Sequence, residues 1–423
     1  MMRTLAGLLL LLSAFSLPAE EPLHRRIDAL LEKAAAAQNV ELRPAADDAE
    51  FVRRAYLDLV GRIPTSDETR AFLADEADDK RPRLIDRLLD HPARPRRMAE
   101  MFHIMLMERR GDDQQWQRFL RHAFAENESW DTIASAIIHP DAEDEARRGA
   151  AYFMTSRLVK EGAMAEVDVP GLTRDVGRLL AGIDLQCAQC HDHLEIDDYK
   201  QRDFQGLHMI FENVQLRRDT KFPAVSENLM TVEKEYMSVF VQQQETTSPV
   251  VPGGKTIEIV TYEGDDAYEV PPDKKKKIVG VPKFSPLKEL ATGLTAADNE
   301  LFAKNIVNRI WHAMLGRGLV EPLDLLHADN PASHPDLLDL LASEFVAHEL
   351  DIRWLMREVA LTSAYARTSR AGEATPDESA FAVAMQRRLG AEQLFRSVLV
   401  ATGELPRHGA TWKRLAMWTT LRP

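Results

Sequence analysis

The sequence predicts a mainly α-helical protein of two helical domains with a small antiparallel β insert between them. Apolar residues recur at helical spacing from Leu23 to Phe211, and again beyond Ser285. Between Phe222 and Val281 the texture changes to alternating valine, threonine and isoleucine, broken by Gly253-Gly254, Gly264-Asp265 and Pro271-Pro272. The length of 423 residues suits two domains of ordinary size. The expected division is a signal peptide at 1–19, a helical domain at 20–214, the β insert at 215–284 and a C-terminal helical domain at 285–423.

The elements follow in order. Residues 23–38 form an amphipathic helix with Ile27, Leu30 and Leu31 on one face. Asp47, Asp48 and Glu50 open a second helix, in which Phe51, Ala55, Tyr56 and Leu59 share a stripe and which Gly61 ends. Pro64-Thr65-Ser66 starts the next, with Ser66 as its N-cap. Short helices are expected around 68–74 and 81–90. The helix over 92–109 carries Met98, Met101, Met105 and Met107, a stripe that at this spacing reads as core filler rather than a ligand set. Helical patterning continues over 116–126 and 130–138, 141–148 is a solvated charged loop, and 152–159 is helical or extended. A helix over 169–180 leads into the two cysteines, and another resumes over 203–211.

Strands are expected at 236–241, 256–262 and 278–281, with the tetralysine run at 274–277 as a charged turn or protected strand edge. The helix over 299–315 has Leu301, Phe302, Ile306, Ile310 and Trp311 on its apolar side and is closed by Gly316 and Gly318. Asn330 reads as a turn residue and Ser333 as an N-cap ahead of a helix over 336–348. Helices over 354–365 and 387–402 complete the pattern, and 406–423 shows none.

Composition bounds the function. With 45% hydrophobic and 28% charged residues the chain has an ordinary globular balance. A net charge of −14 argues against nucleic acid as a partner, which needs a basic field. Arg3, the apolar run from Leu5 to Leu12 and the small residues up to Ala19 make a secretory signal, too short for a comfortable membrane span. The expected location is therefore periplasmic or cell-envelope, with no membrane span in the mature chain.

Both cysteines lie in Cys187-Ala188-Gln189-Cys190-His191. That is the attachment pattern of a c-type haem. Each thiol adds to one vinyl group of the macrocycle, and the adjacent histidine offers an imidazole to the iron. On this reading Cys187 and Cys190 hold the haem covalently, His191 is the axial ligand, and Met209 is the first candidate for the distal position, ahead of His208, Met230 and Met237. His193 would contact a propionate or orient a neighbour, or act as an alternative ligand. Two other readings stay open. The pair could be a redox disulfide, although the sequence around Cys187 reads as helix without the preceding strand of a thioredoxin-like site. With His191 and His193 it could also hold zinc, although such sites usually pair two knuckles and only one is present.

Three stretches carry a resemblance. FVRRAYLDLVGRIPT at 51–65 and LQCAQCHDH at 185–193 with DFQGL at 203–207 resemble the planctomycete cytochrome-c-like domain of unknown function. FAKNIVNRIWHAMLGRGLVEP at 302–322 and NPASHPDLLDLL at 330–341 resemble the partner domain of unknown function that follows it. The resemblance implies an exported bacterial protein. It also implies an association with extracellular polysaccharide or sulfated-glycan breakdown, which supplies no mechanism. The sequence departs from the family at Leu194 and Glu195, where a proline and phenylalanine usually stand, and at Leu325, where an acid commonly follows Asp324. The partner domain also reads as abbreviated.

The leading expectation is single-haem electron transfer with a redox partner protein. The alternatives are an exported glycan-binding or glycan-processing protein, and a cell-envelope scaffold, in which the cysteine motif is a structural or metal clip. Asn305, Asn308, Arg309, His312, His334 and Asp336 are the polar residues of the second domain that could line a cleft, against the plainer reading of caps and interhelical hydrogen bonds.

Overall fold

The computed structural model describes residues 21–158, 168–217, 219–253, 255–273, 275, 279–370 and 377–404. The expected signal at 1–19, Lys274, Lys276 and Lys277, and the stretch 406–423 lie outside the described residues.

The first region is helical: α1 (Leu23–Ala37), α2 (Asp48–Leu59), α3 (Ser66–Leu73), α4 (Lys80–Leu89), α5 (Arg94–Met107), α6 (Gln114–Ala125), α7 (Trp130–Ile138), α8 (Tyr152–Leu158) and α9 (Val169–Val176). A π-helical turn, Gly177–Ala181, extends α9, and a 3-10 turn at Cys187–Gln189 precedes α10 (Gln201–Glu212). Among the described residues, four antiparallel ribbons follow. They are β1 (Val214–Leu216) with β2 (Val225–Glu227), β3 (Lys234–Met237) with β4 (Gln244–Thr247), β5 (Val250–Val251) with β6 (Lys255–Thr256), and β7 (Tyr268–Val270) with β8 (Val281–Pro282). The chain then returns to helix: α11 (Pro286–Leu294), α12 (Glu300–Leu315), α13 (Pro335–Ala347), α14 (Ile352–Ala360), α15 (Ser363–Ala366) and α16 (Ala391–Ala401). The fold is mainly α, with short antiparallel pairs between two helical regions, as the sequence predicts.

Local chemistry sets several boundaries. Asp47 caps α2 by accepting from the Glu50 N–H at 2.8 Å. The cap of α3 is Thr65, not Ser66: Thr65 Oγ1 accepts from the Glu68 N–H at 3.2 Å while Glu68 Oε2 accepts from the Thr65 N–H at 2.7 Å, a reciprocal box. Ser333 is likewise not an N-cap; its hydroxyl donates to the Leu319 carbonyl at 3.2 Å, and His334 stands at the start of α13. The expected helix over 354–365 breaks at Thr362, whose hydroxyl oxygen accepts from the Tyr365 N–H at 3.1 Å and starts α15. The expected strand at 236–241 stops at Met237, because the pairing of Met237 with Gln244 closes the hairpin there and leaves Val239–Val241 in its tip. The strand expected at 256–262 is reduced to Thr256, since β5 offers only two residues to pair with.

One apolar core joins the two helical regions. Trp130 of α7 stacks on Phe302 of α12 at 5.9 Å, and Phe51 of α2 meets Tyr365 of α15 edge-on at 6.3 Å. The methionine stripe of α5 is core, with Met98 and Met107 fully buried.

Charge is buried along the same seam. Arg157 Nε donates to Asp175 Oδ2 at 2.8 Å, with the Arg157 side chain 1% exposed. Its other nitrogens donate to the carbonyls of Phe153 at 2.9 Å and Leu106 at 2.6 Å. Burial pulls Arg157 down to about 10, opposed by Asp175, so it stays charged at neutral pH. Removing the Arg157 guanidinium takes a buried donor from Asp175 and from the Phe153 and Leu106 carbonyls at once. Arg157→Leu is therefore expected to lower the unfolding free energy by about 3 kcal/mol, read from urea denaturation of the full chain. An effect below about 1 kcal/mol contradicts this.

Glu68 gives a pH-dependent counterpart. Burial pushes its carboxyl up, but bonds from both Arg62 nitrogens and the Thr65 N–H outweigh burial and hold it at about 2, below its ordinary 4.5. A depressed carboxylate stabilises the fold above its unfolded value and loses that contribution as pH falls through the folded value. The stability difference between wild type and Glu68→Gln should therefore be full above pH 4.5 and shrink towards pH 2. Urea midpoints of both proteins across that range provide the check, and a constant difference contradicts the assignment.

Candidate functional site

The cysteine motif sits between the end of the π-helical turn and α10. Gly182, in the left-handed region at φ +72°, ends the helical run. The expectation of helix around Cys187 is corrected here. The motif is a single 3-10 turn closed by Cys190 N–H donating to the Cys187 carbonyl at 3.4 Å. Side chains at i and i+3 eclipse in that geometry, so the two thiols still share one side. Both are free and exposed.

Neighbouring side chains hold the turn. Gln205 of α10 donates to the Gln189 carbonyl at 2.8 Å, and Arg174 of α9 donates to Gln189 Oε1 at 2.7 Å. Asp192 Oδ1 accepts the Gln201 N–H at 2.9 Å, which fastens the loop to the start of α10.

The two histidines differ in their hydrogen bonding. His191 Nδ1 lies 2.6 Å from the Asp192 carbonyl oxygen. A carbonyl only accepts, so Nδ1 carries the proton and the neutral ring keeps its lone pair on Nε2. His193 is the reverse. Its Nδ1 accepts the N–H groups of Glu195 at 3.2 Å and Ile196 at 3.0 Å, which puts the proton on Nε2. His193 thus builds the loop and retains one outward donor, and using it as a metal ligand would break that loop. Among the described residues, no group of three or more His, Cys, Asp or Glu side chains is arranged to hold a metal ion.

The tip of the β3–β4 hairpin closes over the motif. Val239 N–H donates to the Cys190 carbonyl at 3.1 Å, and the Phe240 ring lies 4.6 Å from that of His191. Phe240 is nevertheless 63% exposed, and Met237, Val239, Val241 and nearby Leu194 are exposed too. These apolar side chains stand exposed beside two free thiols. Sequence reasoning placed Val239–Val241 in a strand and did not connect them with the motif. The local signal was a Val-Phe-Val run just after the end of an amphipathic strand.

Met209 and Met230 are buried in the core, whereas Met237 is exposed on the hairpin. Met209 stands one turn beyond Gln205, which touches the motif. His208 is engaged elsewhere, with Nδ1 2.8 Å from Lys234 Nζ and its ring stacked on Phe204. Hydrogen bonding by His208 and then Lys234, against burial, holds Glu212 at about 2.

The polar residues of the second region serve the architecture. Asn305 donates to the Leu179 carbonyl at 2.8 Å and accepts from Arg309 Nε at 2.8 Å. Arg309 also pairs with Asp324 and donates to the Arg178 carbonyl. Asn308 donates to the Val320 carbonyl and accepts from the Leu319 and Val320 N–H groups. His312 contacts Glu321 at 3.1 Å, and His334 Nε2 donates to the Ser379 carbonyl at 2.8 Å. Asp336 lies exposed in the first turn of α13. These residues brace turns and neighbouring helices rather than converge on one cleft.

No curated protein and no solved structure matches the chain. The PSCyt2 family, described as a protein of unknown function (DUF1549), matches residues 26–216. The PSD1 family, described as a protein of unknown function (DUF1553), matches residues 287–415. The first match contains the cysteine motif and the second the helices that brace it, in the order the sequence motifs led us to expect. The chain belongs to the family of proteins that join a PSCyt2 domain to a PSD1 domain.

Proposed function

We propose that the chain is an exported single-haem electron-transfer protein, with haem c held by Cys187 and Cys190 and its iron by His191. One observation carries this reading: the His191 Nδ1–H bond to the Asp192 carbonyl, which leaves Nε2 as the free lone pair beside two exposed thiols on one side of a turn. Metal-ligating histidines commonly donate their other nitrogen to such a carbonyl, which fixes both tautomer and ring orientation.

The surroundings support the same group. The exposed apolar side chains at the hairpin tip suit contact with a macrocycle, and the Val239 bond to Cys190 keeps the tip beside the motif. His193 Nε2–H is a donor suited to a propionate. When bound, the haem supplies one-electron redox chemistry. Cys187 and Cys190 would attach it, and the Asp192 carbonyl would hold the His191 ring with Nε2 free for its iron. The partner is then another exported redox protein, and the acidic chain favours a partner with a basic face.

Protein secreted from a host that attaches haem covalently should be red, give a pyridine haemochrome of the two-thioether type and retain haem in denaturant. Cys187→Ala should shift that spectrum to the single-thioether form. A colourless product from such a host, or a spectrum that Cys187→Ala leaves unaltered, overturns the proposal.

The sixth ligand is testable on the same material. Met209 lies on α10 and Met237 on the β3–β4 hairpin, the two elements that touch the motif through Gln205 and Val239. Thioether ligation raises the reduction potential, so leucine at the ligating position should lower it while haem content is unchanged. Potentiometry of Met209→Leu and Met237→Leu should single out one variant. No change in either rules out both of these thioethers.

A further inference from the structure

A second site lies behind the motif loop, and it does not depend on haem. A cleft of about 490 Å³ opens between the segment that carries the cysteine motif and the connection from α12 to α13. Leu185, Leu301, Val320 and Leu338 provide apolar walls, and Asp203 and His327 are among the few polar residues in the lining. This size and balance are those of small-molecule sites.

Most polar groups around the cleft already hold its walls together. Asp198 Oδ2 accepts the Ala328 N–H at 2.7 Å, and the Tyr199 hydroxyl donates to the Leu326 carbonyl at 3.2 Å, so the two walls are bonded across. Asn330 donates to the Leu325 carbonyl at 2.9 Å. The Lys304 ammonium is matched by Glu300 at 2.9 Å and Asp339 at 2.8 Å. Its charge is therefore met twice, while Asp198 and Asp203 leave the cleft acidic. An anion would enter against that field. A polyol would leave the apolar walls uncovered. His327 makes no hydrogen bond through its ring among the described residues; its Nδ1 is shielded, and the ring rests edge-on against Tyr199 at 5.5 Å. Its Nε2 and the half-buried Asp203 carboxylate remain to meet a hydroxyl.

We infer that this cleft binds an uncharged, mainly apolar small molecule bearing a hydroxyl group, which Asp203 and His327 orient against the apolar walls. The site lies close to the motif. His193 N–H donates to the Tyr199 carbonyl at 2.9 Å, and the His193 ring meets the Tyr199 ring edge-on at 6.0 Å. Tyr199 therefore connects the motif loop with a wall of the cleft.

The probe is 2-naphthol, titrated into the full chain and followed by calorimetry. It should bind saturably at one site. Naphthalene-2-sulfonate and methyl β-glucoside should bind at least about tenfold more weakly. Ala328→Trp, a substitution at an exposed lining position, should reduce naphthol affinity at least about tenfold without shifting the melting temperature, and Ala332→Trp should do the same if the first variant fails to fold. His327→Phe should weaken binding while the sulfonate remains excluded. Non-saturable binding, equal or tighter binding of the sulfonate or the glucoside, or affinity unmoved by either tryptophan, overturns the inference. None of these readouts requires haem.

Discussion

A chain of charged and polar side chains running from α5 through α9 to α12 is the constraint on which the rest depends. Asp175 accepts from Arg157 and Arg178 and pairs with Arg110. Arg178 reaches on to Glu108 and Asp324, and Asp324 pairs with Arg309, which in turn is held by Asn305. Burial alone would lower the Arg178 guanidinium, but its three carboxylates outweigh burial and raise it above its ordinary value. Arg157, Asp175 and Arg309 are buried in this network while Glu108 and Arg110 stay exposed at its edge, and the bonds of Arg178 and Arg309 join the two helical regions where the network runs.

That seam is where the chain changes from regular helix to the motif. Asn305 and Arg309 donate to the carbonyls of Leu179 and Arg178 within the π-helical turn. The Arg178 carbonyl also accepts the Gly182 N–H at 3.2 Å, so the second region adds its donors at the very end of the helical run. Gly182 follows in a left-handed conformation, where an added Cβ would also stand 2.6 Å from Leu326 Cδ1. Its carbonyl accepts the Leu326 N–H at 2.9 Å, and Ile183 bridges to Leu325. The segment that enters the cysteine turn is thus held from both sides before the first thiol is reached.

Rigidity upstream contrasts with an exposed apolar surface downstream. The thiols, Leu194 and the hairpin tip are all open, although the tip is anchored to the motif by the Val239 bond and the His191–Phe240 ring contact. The braced segment thus leads into exposed apolar side chains beside two free thiols. On its other side, the same loop forms part of a cleft whose polar residues are mostly occupied in joining its walls. The two places share Tyr199 and little else, which lets each be altered without dismantling the other.

What the sequence determined by itself is local. Helical periodicity located the helices to within a few residues, since burying one stripe requires a repeat that can be read along the chain. Asp47 and Gly316 were legible as helix ends because a cap bonds to, or bends, its own next turn. The spacing of Cys187, Cys190 and His191 and the family motifs were legible for the same reason: neighbours in sequence carry them. The tertiary structure decided the rest. It reduced the expected helix around the motif to one 3-10 turn, gave His191 and His193 opposite roles through bonds to their own loop, and brought the tip at 239–241 to the cysteines. It paired Arg309 with Asp324 and set Tyr199 against His327, 128 positions apart. Such contacts depend on how helices stack and where loops close, and periodicity along one element carries no record of which distant side chain will stand opposite.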